Sequence, residues 1–252
     1  MKITRIKKLK NTYKITLEDN RVIETYDEII INNNILYKKE ITEELEELIK
    51  KQNEYYEIYN KIIKYIKIKL RSEYEIKEYM EKQNVDEKTQ SEIIKKLKDG
   101  NLINNEKYVY AYIHDKLKFT NDGPNKIKKE LIKQKINEEL IDEQIDKIDK
   151  KEIKDKLEKL IIKKLKSNNK YSNNMIKIKL INYFLNMGYE KEIIIDILEK
   201  NKQQDNEIIK KEYEKLYKKL NTKYDNYELT RIIKQKLYQK GFNIDEINEV
   251  LK

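Results

Sequence analysis

The chain has no cysteine and no tryptophan, and in 252 residues only one proline, four glycines and one histidine. Without cysteine there is no disulfide, no thiolate nucleophile and no cysteine-ligated metal. The single His114 is too little for an imidazole zinc site. On a helical stretch it reads first as a surface or core residue, with acid–base work the rarer meaning. So few breakers over this length favour helices and disfavour sandwiches, barrels and glycine-rich nucleotide loops. No run of 18 apolar residues occurs, so no membrane span is expected. The stretch Met1-Lys2-Ile3-Thr4-Arg5-Ile6-Lys7 lacks a long apolar segment, so no secretory signal is expected and a cytoplasmic location is. Nothing calls for a cofactor.

What is present is charge. Lysine and arginine number 56 against 46 acids, a net +10, and charged residues make up 40% of the chain against 38% hydrophobic. The excess favours a polyanionic partner, either nucleic acid or a protein–nucleic acid filament. Lys, Ile, Asn and Tyr are all abundant and all have AT-rich codons, so a solvated Lys/Glu surface accounts for part of the pattern. Ile, Leu and Tyr still recur periodically, which predicts ordered helices.

Residues 1 to about 24 alternate instead, at Lys2–Ile6 and Tyr13–Glu18. Asp19-Asn20 is a turn signal and Val22-Ile23 a returning strand. A small β-hairpin or meander is expected there, packed on the first helices because it is marginal alone. Its bases Lys2, Arg5, Lys7, Lys8 and Lys10 could touch phosphate, or could guard an edge strand against pairing with other chains. From Tyr26 the period lengthens. A short helix through Ile29 and Ile30 ends in Asn32-Asn33-Asn34. Thr42 is a plausible N-cap before Leu45 and Ile49, with Glu43, Glu44, Glu46 and Glu47 suiting the dipole. A long helix is expected from about Asn53 to Leu70.

Ser72-x-x-Glu75 then reads as a capping box that stops one helix and starts the next. The helix carrying Ile76 and Met80 closes at Asn84. A third carries Ile93, Ile94 and Leu97 and ends at Asp99-Gly100-Asn101, where Gly100 suits a left-handed cap. The pattern returns with breaks at Asn121-Asp122-Gly123-Pro124 and Ser167-Asn168-Asn169. Pro124 fits the first helical position. The residues between second and third helices are Asn84, Lys135, Gly188 and Gly241, at separations of 51, 53 and 53. Four before them stand Met80, Leu131, Phe184 and Leu237. Eight before stand Ile76, Ile127, Leu180 and Ile233, and one after come Val85, Ile136, Tyr189 and Phe242. Further along, the second copy slips, with Gln144 in register and Ile145 as the apolar residue. Matched anchors at near-constant spacing predict tandem three-helix repeats stacked into an elongated curved array. The expected division is 1–52 (strands and short helices), 53–103, 104–150, 151–202 and 203–252 (four repeats).

Three stretches resemble the RecX family, bacterial regulators of the RecA recombinase. They are Arg71-Ser72-x-x-Glu75-Ile76, then Leu97-x-x-Gly100-x-Leu102-Ile103-Asn104-Asn105-Glu106-Lys107-Tyr108, and Gly123-Pro124-x-Lys126-Ile127-x-x-Glu130-Leu131. They cover about a quarter of the chain, and the repeat period extends the likeness to most of it. The family usually has acids where Asn104-Asn105 stand and glycine near positions 84 and 135. It often has arginine around Pro124, where this chain has Lys126, Lys128 and Lys129, which are point charges rather than bidentate forks. The resemblance implies a non-enzymatic regulator in homologous recombination, DNA repair and the SOS response. It would bind RecA, lie along the RecA–DNA filament and inhibit ATP hydrolysis and strand exchange.

Partner-contact candidates are Arg71, Lys77, Lys126, Lys128, Lys129 and Lys133. Lys126, Lys129 and Lys133 share a helix face at i, i+3 and i+7. The plainer readings are a cation near a helix C-terminus for Arg71 and solvated lysine for the stripe. Weak DNA binding and a monomer are expected. The alternatives are a direct single-stranded nucleic-acid-binding protein and a helical scaffold with no RecA role. An enzyme ranks third, because no carboxylate is marked by a partner motif.

Overall fold

Alternating apolar residues fold the N-terminus into three antiparallel strands, β1 (Ile3–Lys8), β2 (Thr12–Leu17) and β3 (Val22–Tyr26), in the order β1-β2-β3. The computed structural model describes residues 1–167, 170–201 and 205–252, in two units, Met1–Tyr108 and Val109–Lys252. The chain is mainly α, with thirteen α-helices among the described residues and this one small sheet. Asn20, at φ 65°, turns β2 into β3. The inner sheet face, led by Ile15 and Leu17, buries against Ile29 and Ile30 of α1 (Asp27–Asn32), Ile35 and Ile41, and against Ile49 and Tyr56 of α2 (Glu43–Ile68). A meander packed on the first helices is thus what forms.

Thr42 caps α2, its hydroxyl accepting from the Leu45 amide at 3.2 Å. The helix expected to start near Asn53 instead begins at Glu43 and runs 26 residues unbroken. No breaker lies between, and Asn53 is drawn off to the sheet. Its Oδ1 accepts from the Thr25 hydroxyl at 2.9 Å and its Nδ2 donates to the Glu24 carbonyl at 2.8 Å. An asparagine so engaged does not compete with the helix backbone.

Helices α3 (Glu73–Lys82) and α4 (Glu87–Asp99) close over the end of α2 around Ile62, Ile76, Met80, Ile93 and Leu97. Asn84 between them is left-handed at φ 56°. The Asn84 amide donates to the Glu81 carbonyl (2.9 Å) and the Val85 amide to the Met80 carbonyl (3.1 Å), a Schellman closure. At the end of α4 the left-handed residue is Asn101 (φ 52°), not Gly100 (φ −82°). The Leu102 amide reaches the Leu97 carbonyl at 2.8 Å, which places the reversal one residue later than the glycine.

The second unit begins within α5 (Asn105–Phe119) and continues with α6 (Pro124–Lys133), α7 (Glu138–Asp146), α8 (Lys150–Ser167), α9 (Asn173–Asn186), α10 (Lys191–Lys200), α11 (Asp205–Leu220), α12 (Asn226–Gln239) and α13 (Ile244–Val250). Lys135, Gly188 and Gly241 are left-handed like Asn84, at 52°, 87° and 87°. The apolar anchors four and eight residues before these four turns are all buried. The register does not slip at the second copy: Gln144 itself is buried, where Ile93 and Ile197 stand in the first and third. Gln90 holds the buried place that Ile141, Ile194 and Ile247 take elsewhere, its amide donating to the Val85 carbonyl at 2.8 Å. Of the expected break at Ser167-Asn168-Asn169, the last two residues lie outside the described ones, as does the boundary at 202/203. Ser172 caps the next helix, accepting from the Met175 amide at 3.3 Å.

Within this unit the middle helices meet head to tail. The Gly123 and Asn125 amides, at the start of α6, donate to the Met187 and Gly188 carbonyls at the end of α9, at 2.6 and 3.0 Å. The Ser172 amide, at the start of α9, donates to the Lys240 carbonyl at the end of α12, at 3.0 Å. Orphan donors of one helix thus satisfy orphan acceptors of another, with their dipoles aligned. The approach needs glycine. A Cβ at Gly123 would lie 2.7 Å from the Gly188 carbonyl carbon, and one at Gly188 would fall onto the Lys126 backbone nitrogen. Gly188→Ala is therefore expected to lose about 2–4 kcal/mol, from left-handed strain plus overpacking. Gly100→Ala, at ordinary φ, changes stability by less than about 1 kcal/mol. Urea midpoints of the two variants check this, and equal losses would contradict it.

Candidate partner-binding surface

The six basic candidates fall on α3, α6 and the turn before α3. Ser72 and Glu75 form the expected capping box. The Ser72 Oγ accepts from the Glu75 amide and a Glu75 carboxylate oxygen accepts from the Ser72 amide, both at 3.0 Å. The other Glu75 oxygen accepts from Arg71 at 3.0 Å and pairs with Lys69 at 3.3 Å. The Arg71 guanidinium lies 3.8 Å from the centroid of Tyr65, whose ring stacks on Tyr79 at 4.6 Å. Arg71 thus sits between a carboxylate and a ring, with only 13% of its side chain exposed. Sequence spacing showed the cap but not the tyrosine stack.

Lys77 is exposed and pairs with Glu73 at 3.0 Å, while Lys98 reaches the other oxygen of Glu73 at 2.6 Å. Burial alone would raise both carboxyl groups. The lysines around Glu73, and the Ser72 amide with Arg71 and Lys69 around Glu75, outweigh it and hold both below the ordinary range.

On α6 the lysines divide. Lys126 pairs with the buried Asp122 at 2.6 Å, and Lys128 with Asp142 at 2.6 Å and Glu138 at 3.5 Å. Lys129 and Lys133 are exposed and form no ion pair among the described residues. Asp122 anchors a network that sequence reading had placed only in a helix break. Lys116 approaches it at 3.6 Å and pairs with Glu130 at 2.7 Å, and the Tyr112 hydroxyl donates to Glu130 at 2.7 Å. Burial pushes Asp122 and Glu130 up, but Lys126 beside Asp122, and Lys116 with Tyr112 beside Glu130, bring them below their usual values. Lys156 was missed altogether. Its ammonium donates to the Leu117 carbonyl at 2.7 Å, at the end of α5, and burial lowers its pKa. The one hint was its place beside Leu157 on the apolar side of α8. His114 is exposed, its ring 4.4 Å from that of Tyr110. Among the described residues no group of acids and His could hold a metal, and no helix is long and apolar enough to cross a membrane.

The backbone matches the crystal structure of a regulatory protein RecX with a TM-score of 0.69 at 21% identity, over 78% of this chain and 98% of that one. At that identity the likeness shows the fold. The family model described as RecX, third three-helix domain, matches residues 203–251. The regulatory protein RecX of Streptococcus agalactiae is 29% identical over 100% of this chain and 99% of its own length. That of Bacillus cytotoxicus is 30% identical over 90% of this chain and 80% of its own. The chain belongs to the RecX family. Oceanobacillus iheyensis has another RecX, 26% identical over 99% of this chain. These relatives are named as regulatory proteins, and the resemblance at Arg71–Ile76, Leu97–Tyr108 and Gly123–Leu131 was to this RecX family.

Two outcomes follow from the ion pairs. Arg71→Ala is expected to lower stability by about 1–2 kcal/mol, with Arg71→Lys restoring only part, because an ammonium cannot stack flat on Tyr65. Urea melts of the two variants test this, and full recovery with lysine would contradict the stack. Glu73, Glu75, Asp122 and Glu130 all have folded-state pKa values below their unfolded ones. Their stabilisation is complete above the unfolded values near about 4 and is lost as pH falls through the folded ones. Thermal melts should be flat from about pH 7 to 5 and decline below about pH 4, less steeply in Asp122→Asn.

Proposed function

We propose that this chain is a non-enzymatic regulator that binds the RecA recombinase on its DNA filament and lowers its ATP hydrolysis and strand exchange. The observation that carries this reading is the match to regulatory proteins named RecX over the whole chain. The net +10 charge suits a DNA-loaded filament. We further propose that the chain acts as an N-terminal region, 1–52, followed by four three-helix units, 53–103, 104–150, 151–202 and 203–252. On this reading it is a cytoplasmic monomer.

The contact runs through the bases of the first two units. Lys129 and Lys133 carry no ion pair among the described residues, whereas Lys77, Lys126, Lys128 and Arg71 are each partly neutralised by an acid. A lysine with no acid beside it loses less on meeting a new anion, because no existing pair is broken.

Single-stranded-DNA-dependent ATP hydrolysis by RecA, with this protein added below stoichiometry, is the test. The rate should fall severalfold, and Lys129→Glu with Lys133→Glu should weaken the inhibition with no change in thermal stability. An unchanged rate would sink the proposal.

A further inference from the structure

The first fourteen residues hold six bases, Lys2, Arg5, Lys7, Lys8, Lys10 and Lys14, and no acid. They carry six of the chain's ten net positive charges, whereas over the remaining residues lysine is nearly balanced by acid. Codon usage would raise lysine everywhere and does not account for a block without glutamate or aspartate.

The sheet arranges part of this block on one face. Ile6 and Ile15 pair across β1 and β2 and point inward. Lys7 pairs with Lys14, one residue out of phase, and so both point outward, with Arg5 two residues along on the same side. All three are exposed and none has an ion-pair partner among the described residues. Lys8 differs, since it pairs with Asp27 at 3.2 Å. The one acid of the face, Glu24, stands opposite Lys14 on β3 and accepts from the Thr12 hydroxyl at 2.7 Å; it forms no ion pair but leaves a negative charge next to Lys14.

Two like charges directly opposite on a sheet are destabilising. Lysine on an edge strand is often kept as a guard against pairing with other chains. That explanation covers β1 and fails for Lys14, because β2 is the central strand and has no free edge. Glu24 offsets Lys14 alone; Arg5 and Lys7 face no acid across the sheet, and this uncompensated part of the block points to an outside anion.

We infer that the outer face of the N-terminal sheet, built on Arg5, Lys7 and Lys14, binds the phosphodiester backbone of nucleic acid. Strand geometry holds its bases about 6.6–7 Å apart along β1 and about 5 Å apart across to β2, a fixed lattice suited to a regular row of phosphates. Thr12 and Thr16 lie among them as neutral hydrogen-bonding groups. A membrane surface fits less well, since Val22 and Leu9, at opposite ends of the face, are the large apolar residues it exposes, and interfacial binding needs a fuller set of inserted apolar side chains. The inference concerns naked nucleic acid and stands or falls separately from recombinase regulation.

The test is fluorescence anisotropy of a labelled oligonucleotide, single- and double-stranded, with the full chain across a salt series and no recombinase present. The triple variant Arg5→Gln, Lys7→Gln, Lys14→Gln should bind at least about tenfold more weakly at low salt. Its salt slope on single strands should fall by about 2, from three lost contacts at about 0.7 each. A control triple of equal charge, Lys215→Gln, Lys218→Gln, Lys219→Gln on α11, should change affinity less than about twofold. The sheet triple should melt close to the parent's temperature, since it loses one like-charge pair, Lys7–Lys14, and one opposite-charge neighbour, Lys14–Glu24, so weak binding cannot be put down to unfolding. Equal weakening by both triples would reduce the effect to net charge and overturn the inference. So would unchanged oligonucleotide binding, including the case where only binding to phosphatidylserine vesicles is lost.

Discussion

Each three-helix unit turns on one residue held at positive φ between its second and third helices. Asn84, Lys135, Gly188 and Gly241 occupy these places at 52–87°. Left-handed backbone costs an ordinary side chain about 1–2 kcal/mol, so something must repay it. The reversal sends the next residue, Val85, Ile136, Tyr189 or Phe242, back over the helix it has just left. At Tyr189 the ring meets Phe184 edge-on at 6.1 Å. The closing hydrogen bonds satisfy carbonyls that a free helix end would leave to water. At Gly188 and Gly241 the same turn also receives the start of the preceding copy's middle helix, so one backbone conformation sets both the hairpin within a copy and the spacing between copies.

Electrostatics follow a similar economy. Many of the lysines that make the chain basic are already spoken for. Asp122, Glu130, Glu73 and Glu75 each gather one or more cations at close range. Net charge therefore overstates what a partner can meet. The bases without an acid beside them are fewer, and Lys129, Lys133, Arg5, Lys7 and Lys14 are among them.

The repeat was readable from the amino-acid order because its determinants are local. A Schellman turn is written in six residues and its anchors in eight more, and the anchors four and eight residues before each turn are all buried as their spacing implied. The Ser72–Glu75 box was legible for the same reason, and it carried the RecX resemblance with it. What escaped reading depends mostly on contacts between distant segments. The lysine that holds the end of α5 comes from α8, and the tyrosine under Arg71, only six residues back on α2, is met because the chain turns sharply between them. Asn53 looked like a helix boundary until the sheet took up its amide. Gln144 looked like a slip because a buried glutamine is rare, yet its place in the fold is that of an isoleucine. Gly100 drew the left-handed assignment by composition, while the hydrogen bond from Leu102 placed it on Asn101.

The middle helices α3 and α6 have ten residues, and α9 and α12 have fourteen. Helix α9 is docked at both ends, through Ser172 on one side and Gly188 on the other. Removing one residue between two such fixed points would swing one end about 100° around the axis, whereas four residues restore the phase to within about 40°. Length in this architecture is therefore a stepped variable. Units can grow or shrink by whole turns, about 6 Å at a time, and intermediate lengths have no place to dock.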